Sequence, residues 1–270
     1  MDDARQRKDG SETATTSRCS VAPWILASVE FQDAPRSVEI VGARQAESAL
    51  FTLLARLETP EQRGAAFHEY LAARFQLDHW GSDGSLSSPL RHSYLRFLRG
   101  WGVDSNRRSG AVLKAWVESR FGLRPTWHGG ILEKDDAARA RYLDDRMRGE
   151  AETMGIANQM DLLYTYCQDE LVRRHPGERW LTLYRGTHDP REYVPRRMDL
   201  VDASIVELNN LSSFSSDREI AWEFGSIVWE VRVPFAKIVF FNGLLPRCLL
   251  DGEKEYLVLG GEYRVRRLQC

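Results

Sequence analysis

The segment Trp180-Leu181-Thr182-Leu183-Tyr184-Arg185 marks the point at which the chain changes its hydrophobic period. Upstream, apolar residues recur at helical spacing. From this point they gather in short runs rich in Val, Ile, Leu and aromatic residues, bounded by Gly, Pro or Asn, which is the pattern of strands. The runs are Trp180–Arg185, Val206–Ser213, Ser226–Val233, Lys237–Phe241, Lys254–Leu259 and Tyr263–Leu268. One helix is predicted among them, with Ser216 and Glu219 as a capping box, Ile220, Ala221 and Phe224 as its apolar residues and Gly225 as its stop. Helices first and strands after predict an α+β fold and argue against a doubly wound α/β sheet.

Working back toward the N-terminus, Arg44–Glu58 carries Ala46, Ala49, Leu50, Leu53, Leu54 and Leu57, the stripe of an amphipathic helix. A second helix opens with Thr59 as cap, Pro60 at its first position and Gln62 completing a capping box; its face is Phe67, Tyr70, Leu71 and Phe75. Ser88-Pro89 opens a third, carrying Leu90, Tyr94, Leu98 and Trp101. A fourth carries Val112, Leu113, Trp116, Val117 and Phe121 and stops at Gly122. Helices follow around 135–148 and 152–174, and a short strand is predicted at Ser37–Val41. Residues 1–20 lack large apolar side chains after Met1 and read as a disordered tail. The expected organisation is this tail, a mostly helical part over 21–177 and a β-rich part over 178–270, packed as one compact unit.

Composition excludes several classes. Against 39 Asp plus Glu there are 37 Lys plus Arg, a net charge of −2 that speaks against a general nucleic-acid binder. No apolar run approaches the ~18 residues of a membrane span, and no secretory signal pattern opens the chain. Cys19, Cys167, Cys248 and Cys270 are far apart in sequence, so reduced thiols and a cytoplasmic protein are expected. The histidines form no i,i+3 or i,i+4 pair, and no metal is expected. Arg139, Arg141, Asp144, Asp145, Arg146 and Arg148 share one helix; a solvated face is the plain reading, a docking surface for an acidic partner the sharper one.

Neither a GxGxxG turn nor a Walker loop is present. Three segments of the β-rich part stand out. In Leu183-Tyr184-Arg185-Gly186-Thr187, an Arg ends an apolar strand, where its fork can grip a phosphate or simply sit in water, and the Gly admits close approach of a flat ligand. In Leu211-Ser212-Ser213-Phe214-Ser215-Ser216, alternation puts Ser213 and Ser215 on one face and Phe214 on the other, although turn chemistry alone accounts for such a cluster. In Glu253-Lys254-Glu255-Tyr256-Leu257-Val258-Leu259, two carboxylates two residues apart project to one face as a strand begins.

Taken in order, Arg on one strand, Ser-x-Ser on a second and Glu-x-Glu on a third resemble the R-S-E signature of arginine-specific mono-ADP-ribosyltransferases. Ala221 and Phe224 after Ser213-Phe214-Ser215, and the strands SIVWEVRVP and EKEYLVL, fit the same family; Phe214 departs from it, standing where a Thr is usual. The resemblance covers about residues 180–268. Length and the helical first part further resemble the bacterial family that ADP-ribosylates dinitrogenase reductase, the nitrogenase iron protein.

This resemblance implies an ADP-ribosyltransferase-type antiparallel β-sandwich core and NAD⁺ as co-substrate rather than redox cofactor. It implies that Glu255 bonds the nicotinamide ribose and stabilises an oxocarbenium-like cation, that Glu253 orients the acceptor guanidinium, and that Ser213 holds Glu255. It also implies Arg185 on the NAD⁺ phosphates, Gly186 facing the nicotinamide amide, and Thr187 and Phe224 in the same NAD⁺ site. The implied partners are the nitrogenase iron protein as substrate and a PII-type nitrogen signal protein as activator. An ADP-ribosyl hydrolase is disfavoured because no acidic metal cluster is visible. A non-catalytic nucleotide-binding module or an NAD⁺ glycohydrolase are the alternatives, separated by whether nicotinamide is released and ADP-ribose appears on protein.

Overall fold

The computed structural model describes residues 17–77, 93–151, 155–188, 193–198, 203–246 and 254–268. Its first part is helical: α1 (Pro23–Leu26), α2 (Val29–Asp33), α3 (Ala43–Ala46), α4 (Ser48–Arg56), α5 (Pro60–Arg74), α6 (Tyr94–Val103), α7 (Arg108–Phe121), α8 (Asp136–Ala151) and α9 (Ile156–Arg174). The local signals act as expected at α5, where Thr59 Oγ1 accepts from Gln62 N and Gln62 Oε1 accepts from Thr59 N, both at 3.2 Å. They also hold at α7, which ends on Gly122 with φ +71°. The helix predicted over Arg44–Glu58 is instead two, broken at Glu47. Glu47 leaves helical geometry because its carboxylate is tied to α5, accepting Tyr70 Oη at 2.5 Å and Arg74 Nε at 3.0 Å. Ser88-Pro89 lies outside the described residues; α6 is capped by Ser93, whose Oγ accepts from Leu95 N at 3.2 Å. Residues 17–20, read as the end of a tail, are hydrogen-bonded: Arg18 N donates to Arg120 O and Ser20 N to Glu39 O, each at 2.9 Å.

The strands are β1 (Trp180–Thr187), β2 (Tyr193–Met198), β3 (Ala203–Ser215), β4 (Ile227–Pro234), β5 (Ile238–Phe241) and β6 (Glu255–Leu268), with α10 (Arg218–Glu223) between β3 and β4. All pairings are antiparallel, in the order β2-β3-β1-β4-β6-β5, and β3 also pairs with β6. The fold is α+β. Three local expectations are corrected. Lys254–Leu259 and Tyr263–Leu268 are one strand, continuous through Gly260-Gly261, where Gly261 has φ +99° and a Cβ on Gly260 would lie 1.9 Å from Asn209 O. Glycine admits that conformation and that close approach without ending the strand, and β6 pairs with β5 through its first half and with β4 through its second. Of Ser37–Val41, only Ile40 pairs, in an isolated bridge to Cys19. α10 is capped by Asp217, which accepts from Glu219 N at 2.9 Å, and not by Ser216, whose own N–H is spent on Lys254 O. The strand β2 has no counterpart in the sequence reading; Pro195 suits it to its place at the sheet edge.

Helices and strands share one hydrophobic cluster, running from Leu26, Phe67, Tyr94 and Tyr164 to Leu211, Val239 and Tyr263. Polar side chains stitch the two parts together inside it. Gln168 Nε2 donates to Ile238 O at 2.7 Å, and Asn210 Nδ2 donates to Lys114 O at 2.8 Å and to Leu123 O at 3.0 Å. Left unmet in the interior, the amide hydrogens of the buried Asn210 would cost ~1–3 kcal/mol.

Candidate active site

Strand register brings the three motifs to one place. Tyr184 of β1 stands opposite Ser215 of β3, and Ser215 stands opposite Glu255, the first residue of β6. Arg185, Ser213 and Glu255 are therefore neighbours at one end of the sheet. Arg185 Nη1 donates to Ser213 O at 2.8 Å. Ser213 Oγ donates to Glu255 Oε1 at 2.6 Å. Phe214 points the other way, 3% exposed, its ring 6.3 Å from that of Tyr263. A core-filling residue stands there, which is why an aromatic in that position leaves the Ser-x-Ser face intact.

Glu255 is held from the backbone side. The preceding Lys254 has φ +51°, a left-handed conformation uncommon outside glycine. Its carbonyl accepts Ser216 N, its Nζ reaches Asp217 Oδ2 at 2.8 Å, and Asn242 N donates to Glu255 O at 2.8 Å. The Lys254 ammonium, with the Glu219 backbone N–H, holds the Asp217 carboxyl below the usual carboxylate range. Glu253 lies outside the described residues.

The remaining motif residues are placed as follows. A Cβ on Gly186 would lie 1.9 Å from Ala221 O, and one on Gly225 2.2 Å from Thr187 N. The ends of β1 and α10 thus press backbone against backbone, and Gly186 is required by that packing whatever ligand it meets. Thr187 is buried beneath this contact, whereas Phe224, at the end of α10, is 53% exposed.

The helical part also reaches the site, through a residue that sequence reasoning assigned only to an apolar helix face. Trp101 Nε1 donates to Ser213 Oγ at 2.7 Å. The next residue, Gly102, would carry a Cβ 3.9 Å from Glu255 Oε2. A Trp indole N–H that must find an acceptor when buried was the available signal. Behind the indole, the buried Lys114 Nζ lies 5.8 Å from the ring centre and donates to Trp127 O at 3.0 Å. His128 completes this cluster, with Nδ1 3.4 Å from Lys114 Nζ and Nε2 3.3 Å from Asp145 Oδ2. Burial first, and the Lys114 charge second, push the His128 pKa down to about 4. The ring is therefore neutral at pH 7, accepting from Lys114 and donating to Asp145.

No group of three or more His, Cys, Asp or Glu side chains able to hold a metal occurs among the described residues, and none of their helices is long and apolar enough to cross a membrane. Cys19 and Cys167 are free thiols. A cavity of about 480 Å³ lies between the 35–45 segment and α9, but none of Arg185, Ser213 or Glu255 lines it.

The motifs thus converge on one point, and the whole chain can be set beside known proteins. The family model for dinitrogenase reductase ADP-ribosyltransferase matches residues 16–267. The chain belongs to that family. It is 44% identical over 250 residues to the NAD(+)–dinitrogen-reductase ADP-D-ribosyltransferase of Rhodospirillum rubrum, with 90% of each chain covered. No solved structure matches. The match to the dinitrogenase reductase ADP-ribosyltransferase family takes in the helices as well as the strands, so Trp101 and Glu255 lie within the same family domain.

Proposed function

We propose that the chain transfers ADP-ribose from NAD⁺ to an arginine of dinitrogenase reductase, switching off nitrogen fixation in the cytoplasm. The observation that carries this reading is the convergence of Arg185, Ser213 and Glu255 on a single hydrogen-bonded point drawn from three strands. In this reading the bond between the nicotinamide nitrogen and ribose C1′ breaks, and its electron pair leaves with nicotinamide. Glu255 faces the oxocarbenium-like cation left behind, its carboxylate held by the Ser213 hydroxyl. A guanidinium nitrogen of the acceptor then bonds C1′ and loses a proton. A free guanidinium keeps that proton throughout the neutral range, and Glu253 is the carboxylate assigned to help remove it. Arg185 presents a guanidinium fork suited to a phosphate. Thr187 and Phe224 complete the NAD⁺ site, with Phe224 offering an exposed ring at its edge. No step calls for a metal. A PII-type nitrogen signal protein is the activator in this reading, on the strength of the family resemblance.

The test is incubation of the protein with NAD⁺ and a nitrogenase iron protein, reading the mass of the iron protein and the release of nicotinamide. Gain of one ADP-ribosyl unit at an arginine is the expected result. Nicotinamide release without that gain would mean an NAD⁺ glycohydrolase, and neither signal would mean a non-catalytic module.

A further inference from the structure

We infer that Trp101, supplied by the helical part, is a positioning residue for the transfer reaction: its indole N–H sets the direction in which the Ser213 hydroxyl donates, and through that hydroxyl the pose of Glu255. The inference rests on the assignment of Glu255 proposed above and adds to it a residue outside the three strand motifs.

The argument follows from the donor and acceptor chemistry of the three groups. An indole nitrogen can only donate, an ionised carboxylate can only accept, and a serine hydroxyl does both with one proton and two lone pairs. Trp101 Nε1 lies 2.7 Å from Ser213 Oγ, and Ser213 Oγ lies 2.6 Å from Glu255 Oε1. Only one arrangement satisfies all three: indole to hydroxyl, hydroxyl to carboxylate. With one lone pair occupied by the indole, the hydroxyl proton points at Glu255. Ser213 is held on its backbone side as well, where its carbonyl accepts Arg185 Nη1 at 2.8 Å. The serine is therefore fixed from three directions by residues of β1, β6 and α6.

Trp101 is itself fixed. It is 4% exposed, and Lys114, 1% exposed, stands behind its ring. The turn that carries it is pressed against α7, since a Cβ on Gly100 would lie 2.2 Å from Ser109 Oγ. The indole has little room to swing away, and a catalytic carboxylate gains from such rigidity because small misplacements of reacting groups cost large factors in rate. The outer oxygen of Glu255, Oε2, faces Gly102, where a Cβ would lie at 3.9 Å. α6 thus meets the glutamate with two consecutive residues, one that orients the carboxylate through Ser213 and one without a side chain to crowd it.

The experiment is a double-mutant cycle read by NAD⁺ cleavage and iron-protein modification. Trp101→Phe keeps an apolar ring and removes the N–H; a fall in kcat of about fivefold to tenfold is expected, the scale of one lost hydrogen bond, with KM for NAD⁺ changed less than about twofold. In the Ser213→Ala background the same Trp101→Phe change should cost nothing further, because the indole acts only through that hydroxyl. Replacing Trp101 with benzothienylalanine keeps the bicyclic ring and its packing but lacks the N–H. It should reproduce the Phe result, and it keeps the test decisive should Trp101→Phe unfold the chain. Wild-type kcat for the benzothienylalanine protein would overturn the inference, as would losses that multiply in the double mutant. Glu255→Gln is run alongside. Near-normal transfer by that variant would overturn the underlying site assignment, an outcome distinct from a silent Trp101.

Discussion

Ser213 and Glu255 meet across the β3–β6 ladder as diagonal neighbours. Ser213 stands opposite Leu257 and Glu255 opposite Ser215, yet hydroxyl and carboxylate are 2.6 Å apart. Parity explains the meeting. Residues two apart on a strand share a face, so Ser213 and Ser215 face the same side as Glu255 and Leu257, and diagonal pairs on one face are within reach. Glu255→Gln keeps the size of the side chain and the acceptor oxygen but removes the charge that the proposed mechanism sets against a developing cation. Transfer should fall a hundredfold or more, corresponding to about 3–4 kcal/mol, while thermal stability stays near wild type. Ser213→Ala should fall less, by roughly tenfold to a hundredfold, the range for a hydrogen bond to a charged group. Steady-state transfer with each variant, beside a melting curve, checks both.

Gly186→Ala tests the other reading of the Arg-Gly motif. The added methyl would meet Ala221 O at 1.9 Å, a backbone atom that moves only if α10 moves. Overpacking of this kind costs about 1–3 kcal/mol, which at this chain length lowers Tm by several degrees. Loss of NAD⁺ use should accompany the lower Tm, because Phe224 and Asp217 travel with α10. A variant that loses NAD⁺ use at unchanged Tm would mean that Gly186 is needed for ligand approach and not for packing.

What could be read from the sequence was what local chemistry decides. The capping box at Thr59-Pro60-Gln62, the Gly122 stop and the change of period at Trp180 are properties of a few consecutive residues, and the structure keeps them. So is the parity that sends Ser213 toward the site and Phe214 into the core. What was not legible depends on distant partners. Glu47 breaks a periodic helix because Tyr70 and Arg74 claim its carboxylate from another helix. The strand β6 runs through Gly260-Gly261, which reads as a break locally, because the backbone of Asn209 on β3 lies where a side chain on Gly260 would stand. Trp101 reads as one more apolar residue on a helix, and only the tertiary fold sets its N–H against Ser213.

His128 gives a stability prediction with a definite sign. Its folded pKa of about 4 lies below the ordinary 6.5, so the folded protein resists protonating it while the unfolded chain does not. Above pH 6.5 the ring is neutral in both states and its contribution is fully present. As the pH falls from 6.5 toward 4 the unfolded state binds the extra proton, and on the order of 2–3 kcal/mol is lost. Tm should therefore drop across this window. His128→Gln, which cannot titrate, should show a shallower drop there even though its Tm at pH 7 is lower. Parallel slopes for the two proteins between pH 6.5 and 4 would mean that His128 is not the titrating group.

The charged helix α8 has an inner and an outer face. Ala138 and Tyr142 pack with Ala111 and Leu132, and a Cβ on Gly149 would lie 2.3 Å from Val112 Cγ2, so that side belongs to the fold. The outer side carries Leu143 and Met147, 46% and 69% exposed and one helical turn apart, between exposed arginines 139 and 148. Arg146 is committed to Glu150 at 3.1 Å and to Glu118 at 3.4 Å, and Arg148 to Asp144 at 2.9 Å. The two pairs within α8, Arg146–Glu150 and Arg148–Asp144, contribute only a few tenths of a kcal/mol each and can be exchanged for a partner's charges, whereas Arg146–Glu118 ties α8 to α7. Reversing Arg139, Arg141 and Arg148 to Glu should therefore leave the inner face, and NAD⁺ binding, as they are. Association with the iron protein, or with the signal protein proposed as activator, should slow by about tenfold or more at low salt, with the difference shrinking as salt screens it. Leu143→Ser with Met147→Ser should instead speed dissociation with little dependence on salt, since apolar contact is unscreened. Surface-binding kinetics at two ionic strengths separate the two effects. If the triple reversal binds both proteins at the wild-type rate, α8 is a solvated face and takes no part in docking.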